Sequence, residues 1–495
     1  MDKVHLKKLN LNDRLLRSWI RCERKAWLDC HEDSQERIWS AHRALLLDHQ
    51  QKSLADFLPD KAERGISACE KGAKSITGIR LKGILPNGVS IESHPPLLQR
   101  IKGKSKWGDF AYRPIEVRQG KRISRSNRLL LSLNGLLLEE TQNAKVTEGV
   151  AICKTEAKLE INLIYLTNKL KKQLYESLSK LEDDINKTVP PPLTADRRKC
   201  TLCSWRKICG KEAEENGHIS EVSGIGAKRK LILKEIGIKN LNDLASSNPL
   251  KLNKQLSYYG QEHSNISDQL ISQAKSQFSG FHERIRFTEA LPELISAPGV
   301  LIYDIESDPD KSHDFLHGFL RINKKENGEW DLLKIQYHPI LNLNSEQSYL
   351  SWEKIKRKLN NHPNWPVLHY GETELIAISK LAKKHSVNSS IGEVFNNQFI
   401  DIHSRLKDHW RLPLSSYSLK KVAKWTGFNW RNSKADGARA LLWWRQLKYE
   451  EEKALSSKHF LQWILEYNED DCRATWRTAQ WLLIEDKKVK SSNTS

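Results

Sequence analysis

The alternation of apolar and polar positions predicts a chain that mixes strands and helices. Residues 298–306 form an apolar run, typical of a buried strand, that ends in acidic residues, and residues 112–118 form a second strand-like run. Residues 367–374 have the pattern of a strand that turns into a helix, and residues 465–475 have helical spacing. These elements predict an α/β protein with several domains.

Three breaks in composition divide the chain. Three consecutive prolines at 190–192 end a long charged helical run that begins near Leu166. A second break, at 210–218, follows a group of cysteines, and the third is the turn at Pro298 and Gly299. A length of 495 residues also fits about three domains. The predicted domains are 1–215, 216–295 and 296–490.

The charge of the chain favours a polyanionic partner. Lys and Arg number 81 and Asp and Glu number 61, so the net charge is +20. Nucleic acid is the commonest polyanion that such a protein meets, and the alternative is a protein that is basic without binding one. No apolar stretch reaches the ~18 residues of a membrane span, and residues 1–10 lack the apolar core of a signal peptide. We therefore expect a cytoplasmic protein with no membrane partner, whose eight cysteines are thiols or metal ligands.

Three of these cysteines have the spacing of a metal site. Cys200 and Cys203 are separated by two residues, and Cys209 follows after five more. A Cys-x-x-Cys turn directs two thiolates to one centre, and soft thiolates suit zinc or an iron–sulfur cluster. Cys22, in a basic and aromatic segment far earlier, is the predicted fourth ligand. The remaining cysteines of the first half lack such spacing and are predicted to be buried structural thiols: Cys30, Cys69 and Cys153.

One early cysteine followed much later by Cys-x2-Cys-x5-Cys resembles the iron–sulfur-stapled RecB-like nucleases. That group includes the AddB helicase-nuclease subunit and the RecB-type exonucleases of CRISPR adaptation. The resemblance implies a 4Fe–4S cluster on the four cysteines, with four-cysteine zinc as the alternative. It also implies a restriction-enzyme-like core of the PD-(D/E)XK type, in which a His, an Asp and a Glu-x-Lys hold magnesium.

The residues at these core positions match the RecB-like pattern only in part. Glu116 resembles the ligand of the Glu-x-Lys strand and His49 resembles the early histidine, but Arg118 stands where the lysine belongs. Arg stays protonated and cannot perform the proton chemistry of lysine. Residues 95–98 place a proline at the position of the aspartate, which leaves Asp109 as a substitute. We therefore predict a degenerate core that binds or positions DNA without cutting it.

A glycine-rich turn in the middle region has the pattern of a phosphate-binding motif. Gly224-Ile-Gly226 precedes a predicted helix that begins with Lys228, Arg229 and Lys230. A tight glycine turn leaves backbone N–H groups free at the helix N-terminus, where they can bind a phosphate. The motif resembles the helix-hairpin-helix, which binds the DNA backbone without reading sequence. The alternative is a helix that follows a glycine turn and has a solvated charged face.

Two acidic motifs in the last third carry the most specific chemistry. Asp304 and Glu306 are i and i+2 on a predicted strand, so their carboxylates converge on one side of it. Such convergence is costly unless cations neutralise the charge. Tyr467 and Asp471 are i and i+4 on a predicted helix, so they share one face.

Together these motifs resemble the ribonuclease-H-like 3′–5′ exonuclease superfamily, and within it the YprB-type branch, over about residues 298–482. The resemblance implies that Asp304, Glu306 and Asp471 bind two Mg²⁺ or Mn²⁺ ions that hydrolyse phosphodiesters. It implies that Tyr467 orients the attacking water. The group of RecB-family nucleases that the whole chain resembles joins the same parts.

The segment between the two acidic motifs leaves alternatives open. Glu374 occupies the position of the second-motif acid, which is normally an Asp, and Asp401 either replaces it or supports the site. Residues 405–425 interleave aromatic and basic side chains, which suits base stacking and phosphate contact. The apolar period within this segment favours an ordinary amphipathic helix instead, on Leu419, Val422, Ala423 and Thr426.

The leading hypothesis is a metal-dependent 3′–5′ exonuclease that acts on DNA in repair or turnover. A second hypothesis is a catalytically impaired module that binds nucleic acid and tethers a partner such as a helicase. No Gly-x4-Gly-Lys-Ser/Thr loop is present, so a motor activity has to come from that partner. A third is an RNA-trimming exonuclease, because the fold serves both polymers.

Overall fold

The structure is a computed structural model that describes residues 10–58, 61–118, 122–155, 158–344, 347–385, 398–452 and 458–492. The chain divides into two units, Met1–Gly210 and Lys211–Ser495. Each contains helices and a mixed sheet, which confirms the predicted α/β class. The division into three domains stays a prediction.

The strands of the first unit are β1 (Leu11–Asn12), β2 (Glu63–Arg64), β3 (Ser75–Thr77), β4 (Leu81–Ile84), β5 (Ser90–Ser93), β6 (Leu97–Ser105), β7 (Gly108–Val117), β8 (Glu148–Lys154) and β9 (Leu159–Tyr165). The helices that begin in it are α1 (Asp13–Arg21), α2 (Glu23–His31), α3 (Ala41–Phe57), α4 (Ile66–Glu70), α5 (Arg125–Gln142), α6 (Asn168–Ile185) and α7 (Arg206–Glu215).

The strands of the second unit are β10 (Glu283–Arg284), β11 (Gly299–Asp308), β12 (His313–Asn323), β13 (Gln336–Leu341), β14 (Val367–His369), β15 (Phe399–Asp401) and β16 (Trp410–Arg411). Its helices are α8 (Ala227–Glu235), α9 (Leu241–Ala245), α10 (Pro249–Ser257), α11 (Ser267–Ser279), α12 (Glu293–Ser296), α13 (Ser348–Asn360), α14 (Thr373–His385), α15 (Ile402–His409), α16 (Leu419–Trp425), α17 (Gly437–Glu452) and α18 (Lys458–Ser492).

The main sheet of the first unit has the order β2-β3-β6-β7-β8-β9, and β7 and β8 run parallel. The leucines of α5 pack into the larger core on one face, and α3 places Leu54 and Phe57 against Ile115 and Ile152 on the other. The charged helix predicted from near Leu166 is α6, which ends before the three prolines, as predicted.

The main sheet of the second unit has the order β13-β12-β11-β14-β15. β11 pairs antiparallel with β12 and parallel with β14, so it lies in the middle of the sheet. Its alternate residues separate two cores: Val300 and Ile302 pack on the side of α18, while Leu301 and Tyr303 pack on the side of α13 and α14. The carboxyl end of β11 therefore lies beside α18.

The middle region is a group of short helices, α8 to α11, with an apolar core of its own. Gly224 has φ +89°, a conformation that other residues rarely adopt, and Gly226 precedes α8 as its N-cap. The predicted turn before a helix is therefore present. In the part of the chain that the structure describes, no helix is long and apolar enough to cross a membrane.

Candidate active site

The acidic motif of β11 directs its carboxylates to the side of α18. Asp304 and Glu306 lie on that face of the strand, and the pairing of β11 with β12 shifts its register directly after Glu306. Asp304 is half-buried and Glu306 is buried. The strand predicted for residues 298–306 is thus confirmed, and it positions both carboxylates at one point.

Helix α18 brings the second acidic motif to the same point. It is far longer than the predicted segment 465–475, because apolar side chains on it contact the sheet along its length. Tyr467 and Asp471 lie on one face of it, and both are buried. Carboxylate oxygens of Asp304, Glu306 and Asp471 lie within 4.8 Å of one another. Two motifs that are distant in sequence therefore form one acidic cluster.

The electrostatics of the cluster are those of like charges in a buried place. Burial raises the pKa of Asp304 well above its usual value, and Asp471 and Glu306 raise it further. Burial and the charge of Asp471 likewise raise the pKa of Glu306. The pKa of Asp471 rises to about 6, again mainly through burial. Cations bound at this point would relieve the repulsion, which is the arrangement expected of a divalent metal site.

A chain of hydrogen bonds fixes the orientation of Asp304. The Asn468 side-chain amide donates to Asp304 over 2.7 Å, and the Tyr337 hydroxyl donates to the Asn468 carbonyl oxygen over 2.8 Å. Gly318 makes room for this contact, because a Cβ there would lie 1.7 Å from Asn468 Oδ1. Asn468 adjoins Tyr467 in sequence, which was its only signal.

Trp430 holds Asp471 in the same way, and sequence reasoning missed it. Its indole Nε1 donates to Asp471 Oδ1 over 2.6 Å. The next residue, Arg431, donates its backbone N–H and its Nε to Asp470, which anchors the loop to α18. Because these pairs are about 40 positions apart in sequence, no local pattern could reveal them.

A lysine lies beside the acids. Lys420 Nζ lies 5.4 Å from the centre of the Tyr467 ring and 5.6 Å from the ring of Trp430. Its charge lowers the pKa of Asp471. It belongs to α16, where the predicted amphipathic helix is confirmed, with Val422 and Ala423 buried. One cation against several carboxylates leaves the cluster short of positive charge.

Glu374, the candidate second-motif acid, lies near the cluster without joining the closest group. It is buried at the first turn of α14, and its Oε2 has no hydrogen-bond partner, with His369 Nδ1 3.9 Å away. Burial, with the charges of Asp401 and Asp471, raises its pKa to about 7. Asp401 has another role: its Oδ1 accepts from Gly371 N over 2.8 Å and from His403 N over 2.9 Å. Asp401 therefore supports the adjacent turn, and Glu374 has the unpartnered oxygen.

The N-terminal candidates are not brought together. Glu116 is buried on β7 and accepts from Arg17 over 3.3 Å and from Asn134 over 3.2 Å. Asp109 is exposed on the same strand, and seven residues of extended chain separate it from Glu116 by about 23 Å. Asp109 and Glu116 therefore lie at different places along β7.

The other two N-terminal candidates have local partners as well. The buried guanidinium of Arg118 pairs with Glu160 and donates to Asn162 over 3.2 Å. His49 Nε2 lies 3.9 Å from the sulfur of Cys153. Across the described residues of this unit, no three carboxylates, imidazoles or thiols gather closely enough to hold one ion.

The four candidate cysteines line one cavity of the first unit, with an empty volume of about 430 Å³ that includes open solvent. Burial, with the charges of Cys209, Cys203 and Cys22, raises the pKa of Cys200 to about 11. Cys22 is therefore close to the late triplet, although 178 positions separate it from Cys200 in the sequence. Basic side chains also line the cavity: Arg21, Arg24, Lys25, Arg197, Lys199 and Arg206.

The basic residues of the helix-hairpin-helix candidate have partners within the middle region. Lys228 pairs with Glu262 over 2.7 Å, and both side chains are exposed. Arg229 donates to the carbonyl oxygens of Gly224 and Glu262. Lys230 is mostly buried. The turn leaves the backbone N–H groups of α8 without a side-chain cap, whereas these side chains are already occupied.

Comparison with known families agrees with the geometry of the second unit. The RNase_H_2 family model, of the RNase H superfamily, matches residues 301–483. This range contains the whole acidic cluster. No curated protein matches the chain significantly. The C-terminal region therefore contains an RNase-H-like domain, and such a domain indicates a nuclease-type hydrolase of phosphodiester bonds.

Proposed function

We propose that this protein is a metal-dependent 3′–5′ exonuclease that degrades DNA in repair or turnover, with catalysis in its C-terminal domain. The observation that supports this proposal most directly is that carboxylate oxygens of Asp304, Glu306 and Asp471 lie within 4.8 Å of one another, beside Tyr467. The net charge of +20 supports a polyanionic substrate. The preference for DNA and for a 3′ end follows from the resemblance to exonucleases of this superfamily.

The chemistry of the donor set fits Mg²⁺ or Mn²⁺. The three carboxylates are hard oxygen ligands, and the unpartnered Glu374 Oε2 offers a fourth. Two divalent cations held there would supply Lewis acidity toward the phosphate, the attacking water and the leaving 3′ oxygen. The raised pKa values of Asp304 and Glu306 also support bound divalent cations, because neighbouring buried carboxylates are stable as anions only when cations are near.

The protein's own groups then have distinct roles. The Asn468 amide and the Trp430 indole hold Asp304 and Asp471 in fixed orientations, so that little reorganisation is needed when substrate binds. The Tyr467 hydroxyl donates to Asp471, and its pKa is raised far above 10 by burial and by the acids. It therefore remains protonated at neutral pH and can orient a water by hydrogen bonding, but it does not act as a base.

For the first unit we propose a 4Fe–4S cluster on Cys22, Cys200, Cys203 and Cys209. The donor set is four thiolates, and the basic lining complements the negative charge of such a cluster. A four-cysteine zinc site would bring its sulfurs to about 3.8 Å from one another, given bonds of ~2.3 Å. Within the described residues these sulfurs form no group as tight as 4.8 Å, which favours the larger cluster over zinc.

The cluster has a test that does not depend on nuclease activity. Protein purified without oxygen should contain about four iron atoms and visible charge-transfer absorption, both lost in Cys203→Ser. Cys30→Ser is the matched control, because Cys30 does not line the cavity. Stoichiometric zinc without iron would replace this assignment by a zinc site.

We further propose that the N-terminal core no longer cuts DNA, and that it and the helix α8 turn only bind its backbone. This assigns the binding role to the first unit and to the α8 turn of the second unit, and it leaves catalysis with the acidic cluster. Glu116 supports it, because a protein guanidinium and an amide already satisfy the carboxylate. A helicase partner is consistent with such a module.

The first experiment measures the degradation of end-labelled single-stranded DNA and RNA with Mg²⁺ or Mn²⁺. Wild type is compared with Asp304→Ala and with Asp408→Asn, an exposed aspartate of the same domain. We expect shortening from the 3′ end of DNA, lost only in Asp304→Ala. Activity that survives in Asp304→Ala would return catalysis to the first unit. Preference for RNA would make the protein an RNA-trimming enzyme. Absence of activity in the wild type would favour the hypothesis of a catalytically impaired binding module.

A further inference from the structure

A second concave surface, here called the basic pocket, lies at the edge of the C-terminal sheet. It has an empty volume of about 610 Å³, which includes open solvent. Strand β13 and one face of α13 line it, with His338, Lys354, Arg357, Lys358 and His362 as its basic groups. Lys354, Arg357 and Lys358 are spaced by three and four positions on α13, so their side chains project toward the same side, and His362 follows just after the helix ends.

The basic pocket is separate from the acidic cluster. His338 pairs across the strands with Phe319, which in turn pairs with Tyr303, so all three point to one face of the sheet. Asp304 follows Tyr303 directly and points to the opposite face. Binding in the pocket therefore requires no hydrolysis at the acidic cluster.

The charges in the pocket lack a countercharge. Within the described part of the chain, Lys354, Arg357 and Lys358 form no ion pair with a carboxylate, whereas their neighbour Lys356 pairs with Glu353. An ordinary surface helix mixes charges of both signs, which reduces the repulsion between like charges on neighbouring turns. The face of α13 that lines the cavity carries positive charge only.

Two groups of the pocket are unfavourably placed when no anion is bound. His338 is only partly buried, but its Nε2 atom is shielded from solvent and has no hydrogen-bond partner. Burial, together with the charge of Arg321, lowers the pKa of Lys358 to about 8. An anion in the cavity would neutralise the cations and could accept from the imidazole, which removes both costs.

We propose that the basic pocket binds a phosphate group. Phosphate offers several acceptor oxygens to donors that converge from a strand and a helix, and it suits the guanidinium of Arg357 and the ammonium groups together. The phosphate belongs either to the backbone of a polynucleotide held at a distance from the acidic cluster or to a free phosphate compound. A solvated basic helix face would explain the lysines, but it would not explain the cavity or the shielded Nε2 atom of His338 that has no hydrogen-bond partner.

The test uses the full-length chain and compares two double variants that remove the same charge. Lys354→Gln with Lys358→Gln changes the basic pocket. Lys380→Gln with Lys383→Gln removes two lysines of α14 that do not line it. Thermal unfolding verifies that each variant is folded. Lys354→Gln with Arg357→Gln replaces the first pair if Lys358 proves necessary for folding.

Two binding measurements distinguish the source of the phosphate. Calorimetry with pyrophosphate reports a free phosphate compound. Fluorescence anisotropy with labelled single-stranded DNA, in an Asp304→Asn background that prevents cleavage, reports a polynucleotide. Because neither measurement requires hydrolysis, failure of the proposed nuclease activity would leave both results interpretable.

We expect the pocket variant to bind pyrophosphate about tenfold more weakly, and the α14 variant to change by less than about twofold. If the DNA is also bound about tenfold more weakly, with a salt slope reduced by about one for each phosphate that the variant no longer binds, the pocket binds polynucleotide backbone. If only pyrophosphate binding weakens, the pocket serves a free phosphate compound. Equal effects of the two double variants on both ligands would overturn the proposal.

Discussion

The sheets of the two units each bury carboxylates, and they neutralise them differently. On β7, the buried Glu116 accepts from Arg17 and Asn134, so its charge has a positive partner within the protein, although burial still raises its pKa. On β11, Asp304 and Glu306 face a third carboxylate, Asp471. Their protein partners are neutral donors and one lysine nearby.

The difference shows what separates a structural acid from a metal ligand. A single carboxylate with a guanidinium has no need of a cation, because further positive charge there would be repelled. Three carboxylates in a buried place cannot all ionise without one. Burial alone is therefore uninformative, and the balance of charge around the acid is what indicates metal chemistry.

The most direct test of this difference between the two units removes one acid from each sheet. Asp304→Asn should lower nuclease activity by about 10³-fold, since a metal-binding charge is removed at the point where transition-state charge develops. Glu116→Gln, an equally conservative change, should alter activity by less than about twofold. Initial rates on end-labelled DNA measure both. A large loss in Glu116→Gln alone would show that the first unit is the catalytic one.

Tyr467→Phe separates metal binding from water orientation. The hydroxyl that donates to Asp471 is removed while all the carboxylates remain. We expect kcat at saturating Mn²⁺ to fall by about 10²-fold with the KM unchanged, and the Mn²⁺ concentration for half-maximal activity to rise by no more than about tenfold, because one hydrogen bond to a ligand is lost. Full recovery of kcat at saturating Mn²⁺ would instead assign the tyrosine to ligand support.

The metal-free protein should be more stable in mild acid. The raised pKa values of Glu374, about 7, and Asp471, about 6, mean that the folded state binds protons that the unfolded state has released. Stability should therefore fall by about 2 kcal/mol as pH rises from 5 to 7. Added Mn²⁺ should restore it, more at pH 7.5 than at pH 5.5. Denaturant unfolding with and without EDTA measures this, and Asp304→Asn should flatten both dependences.

Trp430→Phe tests whether the neutral donors support the ligands. The aromatic character stays, and the N–H that donates to Asp471 over 2.6 Å is removed. Removal of such a supporting hydrogen bond typically weakens metal binding by about tenfold. Manganese titration by electron paramagnetic resonance gives the affinity. Trp463→Phe is the control, because this exposed tryptophan of α18 contacts the rings of Trp443 and His459, and an equal effect there would refute the assignment.

What could be predicted from the sequence were features with local signals. Strand β11, the paired acids on it and the i,i+4 pair on α18 follow from periodicity, which acts over a few residues. The extent of α18 could not be predicted, because its length depends on the sheet that it covers.

The supporting contacts and the state of the N-terminal acid could not be predicted either. Asn468 reaches Asp304 across 164 positions and Arg17 reaches Glu116 across 99, and such pairs form only when the fold brings them together. Arg118, at the position of the expected lysine, led to the prediction of an altered N-terminal core, but nothing in the sequence indicated that Arg17 would pair with Glu116. Charge compensation is a tertiary property, and motif spacing does not encode it.

The smallest expected effect is on stability, and it concerns the ion pair between Arg17 and Glu116. Arg17→Met leaves the buried Glu116 carboxylate with Asn134 alone and should cost about 1 kcal/mol of unfolding free energy, less than for a fully buried pair because Arg17 is half-exposed. Adding Glu116→Gln should recover most of it, since a neutral amide requires no countercharge. Urea unfolding of the two single variants and the double variant measures this coupling. If Arg17→Met alone instead produced Mn²⁺ binding in the first unit, the guanidinium would be standing in for a metal, and the two sheets would differ only by that one side chain.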